Sequence, residues 1–108
     1  MKTILAALLC CTGVNAQTGN AGNGKQLYTK YGCYQCHGRE GQGGVAGARL
    51  APRPIAVQAL ILYVRHPAGQ MPPYTSKVVS DEDLTDIHAF LKTIPAPPPA
   101  KSIPLLNQ

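Results

Sequence analysis

The sequence predicts an all-α domain of three to four short helices joined by long loops. Apolar residues recur at helical spacing in residues 25–31, 55–64 and 81–94, a period typical of helices with one buried face. Glycine- and proline-rich stretches separate these segments. After the first segment comes Cys33-Tyr34-Gln35-Cys36-His37, the attachment signature for c-type haem. We therefore expect the helices and loops to wrap around one covalent haem.

The chemistry of this motif gives each of its key residues a role. Cys33 and Cys36 can form thioether bonds to the haem vinyl groups, and the adjacent His37 can place its imidazole on the iron. A thioredoxin-like redox site needs a surrounding βαβ pattern, which this chain lacks. A zinc-binding module is a further alternative, but it needs two more ligands and only histidines remain to supply them.

The first 16 residues are typical of a signal peptide. Lys2 supplies a positive charge, residues 4–11 form an apolar run, and small or compact residues precede the predicted cleavage site after Ala16. The apolar run is shorter than the roughly 20 residues that a membrane span requires. We expect a periplasmic domain with no stable membrane insertion, with Cys10 and Cys11 removed in the leader. A retained anchor, or a disulfide between these neighbours, is the alternative.

Cleavage would leave 92 residues and two cysteines. A domain of this size buries little apolar surface and normally relies on disulfides, a metal or an oligomer for stability. Because the two cysteines are three residues apart, a disulfide would close only a trivial loop. A covalently attached haem, with its large apolar disc, is the better source of the missing core.

The first structured element is predicted to begin near Gly24. Residues 17–23 are small, polar and rich in turn formers, which predicts a flexible mature terminus. Residues 25–31 suit a short helix that ends at Gly32. Residues 38–50 are glycine-rich and have no regular period, and none of their glycines stands where a phosphate-binding loop needs it. Such a backbone can instead run close against a flat cofactor.

Two further helices are expected. Residues 55–64 predict a helix with one buried face. In the last helix Ser80 is a favoured N-cap, acidic residues occupy the first turn, and Lys92 lies in the last turn. Pro95 ends that helix. The proline-rich tail, residues 96–108, should be extended and is either a docking arm or an unpacked end.

Met71 is the candidate for the second axial position of the iron. It follows His37 by 34 residues, enough chain to reach the opposite haem face, and Pro72-Pro73 would stiffen the loop that presents its sulfur. Methionine is ordinarily core filler, which is a weaker explanation for a residue in a proline-flanked loop. His66 and His88 are the alternative ligands. If none of the three binds, the sixth position is open, as in a haem enzyme or a gas sensor.

Residues 24–95 resemble a class I cytochrome c. The matching features are the cysteine–histidine motif, Met71-Pro72-Pro73-Tyr74 and the apolar pattern of the last helix. The resemblance implies the cytochrome c fold, in which the first and last helices cross at Gly24 with Tyr28 packed against Phe90. It covers essentially the whole mature domain.

The resemblance also implies a backbone carbonyl that accepts a hydrogen bond from the imidazole of His37. Where the family often has a Gly-Pro pair after the haem loop, this chain has Gly47-Ala48. The Ala48 carbonyl is one candidate for the acceptor, and the sequence leaves the choice open. The bond matters because it orients the imidazole and tunes its basicity.

Electron transfer is the predicted function. Ligation by His37 and Met71 would fill both axial positions and raise the reduction potential, which favours electron transfer over binding of oxygen or peroxide. The sequence shows neither paired carboxylates nor a catalytic triad. We therefore expect not an enzyme but a periplasmic single-haem carrier that cycles between Fe(II) and Fe(III). It would pass electrons to a terminal oxidase, or serve as the cytochrome subunit or dedicated acceptor of a periplasmic dehydrogenase.

The charge of the mature domain is modest. Loss of Lys2 leaves nine basic residues against five acidic ones, a net charge of +4. The basic residues are scattered, which argues against nucleic acid as a partner. They either steer an acidic redox partner toward the haem edge near Cys33 and Cys36 or form a solvated surface. The candidates for steering are Lys25, Lys30, Arg39 and Arg65.

Overall fold

The computed structural model describes residues 18–108, which contain four α-helices and no strand. The helices are α1 (Ala21–Lys30), α2 (Tyr34–His37), α3 (Val57–Arg65) and α4 (Asp81–Thr93). The predicted all-α fold is confirmed. The predicted signal peptide, its cleavage after Ala16, and Cys10 and Cys11 lie outside the described residues.

Helix α1 begins at Ala21, three residues before the predicted start at Gly24. The Asn20 side chain caps it by accepting a hydrogen bond from the Asn23 amide at 2.9 Å. Both asparagines are also held by Asp86 of α4, which accepts from the Asn20 amide at 2.6 Å and from the Asn23 side chain at 2.7 Å. The prediction of a flexible segment over residues 17–23 is therefore wrong from Asn20 onward.

Helices α1 and α4 cross at the point that the resemblance implied. Gly24 is buried there, and a β-carbon at this position would overlap the backbone of Asp86. One turn further along α1, the Tyr28 ring packs against Phe90 with centroids 5.5 Å apart and a tilt of 56°, a geometry that aromatic pairs favour. The glycine permits the close approach, and the two rings then fill the crossing.

Helix α4 follows its sequence signals closely. Ser80 and Asp83 form a capping box, in which the Asp83 amide donates to Ser80 Oγ at 3.0 Å and the Ser80 amide donates to Asp83 Oδ2 at 3.4 Å. Acidic residues in the first turn and Lys92 in the last match the helix dipole. The buried face consists of Leu84, Ile87, Phe90 and Leu91.

Helix α3 packs on α4 and completes the core. It begins at Val57, two residues later than predicted, with Ala56 as its non-helical N-cap. Leu60 and Val64 are its buried residues. The core as a whole comprises Leu27, Tyr28, Ala51, Leu60, Val64, Val79, Leu84, Ile87, Phe90 and Leu91.

The tail contains two short 3-10 turns, Ala100–Ser102 and Pro104–Leu106, so it is not extended throughout. The Asn107 side chain stabilises them by donating to the carbonyls of Ala100 and Ile103 at 3.1 and 2.8 Å. The tail is almost wholly exposed, and its role as a docking arm or unpacked end stays a prediction. Within residues 18–108, no helix combines the length and the apolar character needed to cross a membrane.

Candidate haem site

The cysteine–histidine motif occupies a single helical turn. Gly32, with φ of +76°, lets the chain turn out of α1, and Cys33 becomes the N-cap of α2. The Cys33 amide donates to the Tyr28 carbonyl at 3.1 Å, and the His37 amide donates to the Cys33 carbonyl at 3.0 Å. Residues three and four apart on a helix share a face. The turn therefore presents Cys33, Cys36 and His37 together.

The two thiols are not joined to each other. Cys33 is half-buried, Cys36 is exposed, and both are free. Burial raises the pKa of the Cys33 thiol to about 11, so this group is protonated at neutral pH in the polypeptide. Two unjoined thiols on one face, beside an imidazole, form the donor set that covalent haem attachment requires.

The His37 ring is fixed by a backbone carbonyl. Its Nδ1 lies 2.7 Å from the Ala48 oxygen, and because a carbonyl only accepts, Nδ1 carries the proton and donates. Nε2 is then left with its lone pair for a metal. This arrangement fits a haem iron bound at Nε2, and it answers the question left open by the sequence: Ala48 supplies the acceptor.

Gly47 allows the carbonyl of Ala48 to come so close. A β-carbon at position 47 would lie 2.8 Å from the Cys36 oxygen and 3.0 Å from His37 Nδ1. The glycine-rich composition of the loop predicted a close approach in general but not this specific contact. The signal was present in the dipeptide Gly47-Ala48, which stands where the family often has Gly-Pro.

The rest of this loop is held by hydrogen bonds to its own backbone and to α1. The Gly43 amide donates to the His37 carbonyl at 2.8 Å, and the amides of Leu50 and Ala51 donate to the Gly41 carbonyl at 2.8 and 2.9 Å. The Tyr28 hydroxyl donates to the Gly38 carbonyl at 2.8 Å. Burial raises the pKa of Tyr28 to about 12. The loop that follows His37 is thus held by several hydrogen bonds.

Met71 is half-buried and packs against the core, as Cys33 does. Its loop is anchored at Tyr74. The Tyr74 amide donates to the Val64 carbonyl at 3.0 Å, and the Tyr74 hydroxyl donates to the Tyr31 carbonyl at 3.0 Å. The sulfur of Met71 is therefore carried by a loop whose far end is tied to α3 and to the end of α1.

The alternative ligands occupy different surroundings. His66 is exposed at the C-terminal end of α3. Nε2 of His88 lies 3.0 Å from the Ile55 carbonyl, so one of its ring nitrogens is already engaged by the backbone. Among residues 18–108, no three side chains from His, Cys, Asp and Glu come together in a group able to hold a metal ion.

Arg65 corrects one expectation. It was a candidate for partner docking, but its side chain is only 15% exposed and pairs with Asp81 and with the Tyr74 carbonyl. These partners lie 16 and 9 residues away in sequence, so local pattern carried no sign of them. Arg65 is therefore a partly buried residue that is bonded to the loop carrying Met71.

Three other basic residues do lie on the surface beside α2. Lys25 and Arg39 line a cleft of about 660 Å³ together with Tyr34. The Arg39 guanidinium lies 5.9 Å from the Tyr34 ring centre, and the Lys30 ammonium lies 5.2 Å from that of Tyr31. All three side chains are exposed. Lys25 and Arg39 thus share one cleft beside the cysteine-bearing turn with a single acidic residue, Glu40.

Comparison with known proteins gives two matches. The model of a protein family described as "Cytochrome C oxidase, cbb3-type, subunit III" matches residues 19–91. The chain is similar to the cytochrome c subunit of 4-cresol dehydrogenase (hydroxylating) from Pseudomonas putida, with 34% identity over 91 residues that cover 83% of this chain and 76% of that protein. No solved structure matches significantly.

Proposed function

This chain belongs to the c-type cytochromes, and from that premise we propose that it is a periplasmic carrier whose haem iron is held by His37 and Met71. Family membership confirms covalently bound haem c and the role of a haem electron carrier. When bound, the haem iron supplies the one-electron couple between Fe(II) and Fe(III). Cys33 and Cys36 are the proposed attachment points.

The observation that carries the proposal is the hydrogen bond between His37 Nδ1 and the Ala48 carbonyl at 2.7 Å. It sets the tautomer, directs Nε2 away from the loop, and raises the basicity of the imidazole. A histidine held in this way, one residue after a free cysteine on the same helical turn, supports the role of proximal ligand.

Met71 is the distal ligand in this proposal. Its half-buried position and its anchored loop support that role, whereas His66 is exposed and His88 contacts the Ile55 carbonyl. A thioether is a weak hydrogen-bond acceptor and a soft metal ligand. With both axial positions filled by side chains, the site favours electron transfer over binding of a gas or peroxide.

The electron donor is proposed to be a dehydrogenase. The similar protein from Pseudomonas putida is named as the cytochrome c subunit of such an enzyme. In this chain the exposed Lys25, Lys30 and Arg39 border the cysteine-bearing turn and would meet an acidic surface of the donor. The electron would then pass to an acceptor such as a terminal oxidase.

Absorption spectroscopy of the purified holoprotein tests the axial ligands. The oxidised protein should show the weak near-infrared band of methionine-to-iron ligation, and the reduced protein should not bind carbon monoxide. Met71→Ala should abolish the band and open the site to carbon monoxide, whereas the controls His66→Ala and His88→Ala should keep it. An unchanged band in Met71→Ala would overturn the assignment. Carbon monoxide binding by the unmutated protein would favour the haem enzyme or gas sensor.

A second assay tests the attachment residues. The pyridine haemochrome spectrum should be that of haem with two thioether bonds, and it should shift toward a single bond in Cys33→Ala or Cys36→Ala. A purified protein that contains zinc and no haem would support the zinc-binding alternative instead.

A further inference from the structure

We propose that Arg65 is a positioning residue for Met71, because its guanidinium ties the Met71 loop to both neighbouring helices. This inference rests on the proposed function, in which Met71 binds the haem iron. Arg65 is the last residue of α3. It would act through its hydrogen bond to the loop backbone.

The Arg65 guanidinium donates hydrogen bonds to two different acceptors. Arg65 Nη1 donates to the Tyr74 carbonyl at 2.9 Å, and Nη2 donates to Asp81 Oδ1 at 2.5 Å. Asp81 is the first residue of α4. A planar guanidinium can serve both acceptors at once, which a lysine ammonium on a flexible stem does poorly. One side chain therefore links the end of α3, the Met71 loop and the start of α4.

Tyr74 transmits this restraint to Met71. Its amide is bonded to the Val64 carbonyl at 3.0 Å and its hydroxyl to the Tyr31 carbonyl at 3.0 Å, so the contact with Arg65 engages its third polar group. Only Pro72 and Pro73 separate it from Met71. Proline fixes its own φ near −65°. The backbone between Tyr74 and Met71 therefore has little conformational freedom, and the position of Tyr74 restricts that of Met71.

The two bonds of Arg65 should differ in strength. The Asp81 side chain is 60% exposed, and an ion pair so open to water contributes little. The bond to the Tyr74 carbonyl is charge-assisted, and the Arg65 side chain that donates it is only 15% exposed. This bond should therefore contribute more to the stability of the Met71 loop. Loss of the Arg65 guanidinium should therefore destabilise the Met71 loop much more than loss of the Asp81 charge does.

Urea titration of the oxidised holoprotein tests the proposal, with methionine ligation followed by its near-infrared band and the fold by far-ultraviolet circular dichroism. In Arg65→Leu, which keeps an apolar side chain and adds no iron ligand, the equilibrium constant for loss of the band should rise about tenfold. The circular dichroism midpoint should move much less, and the reduction potential should fall. Asp81→Asn should change the band equilibrium only about twofold. Arg53→Leu, at an exposed arginine, is the control.

The outcomes separate this inference from the proposed function. If Met71→Ala keeps the band, the ligand assignment fails. If Met71→Ala loses the band but Arg65→Leu behaves like Arg53→Leu, only the positioning role is overturned. The role is also overturned if band and circular dichroism shift together in Arg65→Leu, since Arg65 would then stabilise the fold as a whole. If Arg65→Leu does not mature, Arg65→Gln replaces it. Its band should be less stable than that of the unmutated protein, and an unchanged band would contradict the role.

Discussion

Gly24 of α1 lies against the backbone of Asp86 in α4, so closely that a β-carbon at position 24 would overlap the Asp86 carbonyl. The same aspartate binds the Asn20 amide and the Asn23 side chain through its carboxylate. One residue of α4 thus fixes both the depth of the helix crossing and the position of the α1 terminus. The aromatic contact between Tyr28 and Phe90 depends on that depth.

Gly24→Ala should destabilise the holoprotein by about 3 kcal/mol, because the overlap is with backbone and the helices must separate. Urea unfolding monitored by circular dichroism measures the loss. Gly22→Ala is the matched control in the same helix, since its β-carbon would meet nothing closer than Asn20 Oδ1 at 3.4 Å. We expect that variant to be as stable as the original or slightly more so. Equal stability of the two variants would contradict the crossing geometry.

Gly47→Ala should raise the reduction potential. The added carbon would press on the Cys36 carbonyl and His37 Nδ1, and this displaces the Ala48 carbonyl from the imidazole. A histidine that loses this acceptor becomes a less basic ligand and stabilises Fe(III) less. Redox titration of the holoprotein measures the change.

Gly44→Ala is the control for that experiment, because no heavy atom lies within 4 Å of a β-carbon placed there. Its potential should equal that of the unmutated protein. A Gly47→Ala protein with an unchanged potential would show that the Ala48 hydrogen bond does not tune the iron.

The features that the sequence predicted correctly are mostly local ones. The N-cap of α4 at Ser80 and its acidic first turn lie within residues 80–83, and haem c was predicted from the motif in residues 33–37 alone. The crossing of Gly24 and Tyr28 with Phe90 was implied by resemblance to a family, and the structure confirms it. Features that depend only on neighbouring residues can be predicted before the fold is known.

The features that were missed depend on contacts between distant residues. The start of α1 is fixed in part by Asp86, 66 residues after Asn20, although Asn20 itself is a favoured N-cap that could have been noticed. Arg65 was taken for a surface charge because Asp81 and the Tyr74 carbonyl reach it only in the folded chain. Such pairings are set by the fold and leave no periodic sign in the sequence.

Tyr28→Phe should cost about 1 kcal/mol at pH 7, because the variant leaves the Gly38 carbonyl without its donor. It should also change the response to alkali. The pKa of Tyr28 is raised to about 12 from its ordinary value of 10.0, so the neutral hydroxyl is favoured in the folded state. This contribution to stability is complete below pH 10 and is lost as pH rises from 10 toward 12.

Urea unfolding at a series of pH values measures this effect. The unmutated protein should lose more stability than Tyr28→Phe between pH 10 and 12, because burial of the hydroxyl disfavours its ionised form. Tyr63→Phe, at a partly exposed tyrosine, should follow the unmutated protein. Parallel loss of stability in all three proteins would rule out Tyr28 as the group that titrates.

The exposed basic residues beside α2 should govern the rate of reduction by the donor. Reversing the charge in Lys30→Glu or Arg39→Glu should lower the second-order rate constant about tenfold at low ionic strength, and the difference should shrink as salt screens the charges. Stopped-flow reduction by a purified dehydrogenase of the proposed donor class measures it. Lys101→Glu makes the same charge change in the tail and should have a smaller effect. Because both surfaces carry positive charge, a loss confined to Lys101→Glu would instead place the docking contact in the tail.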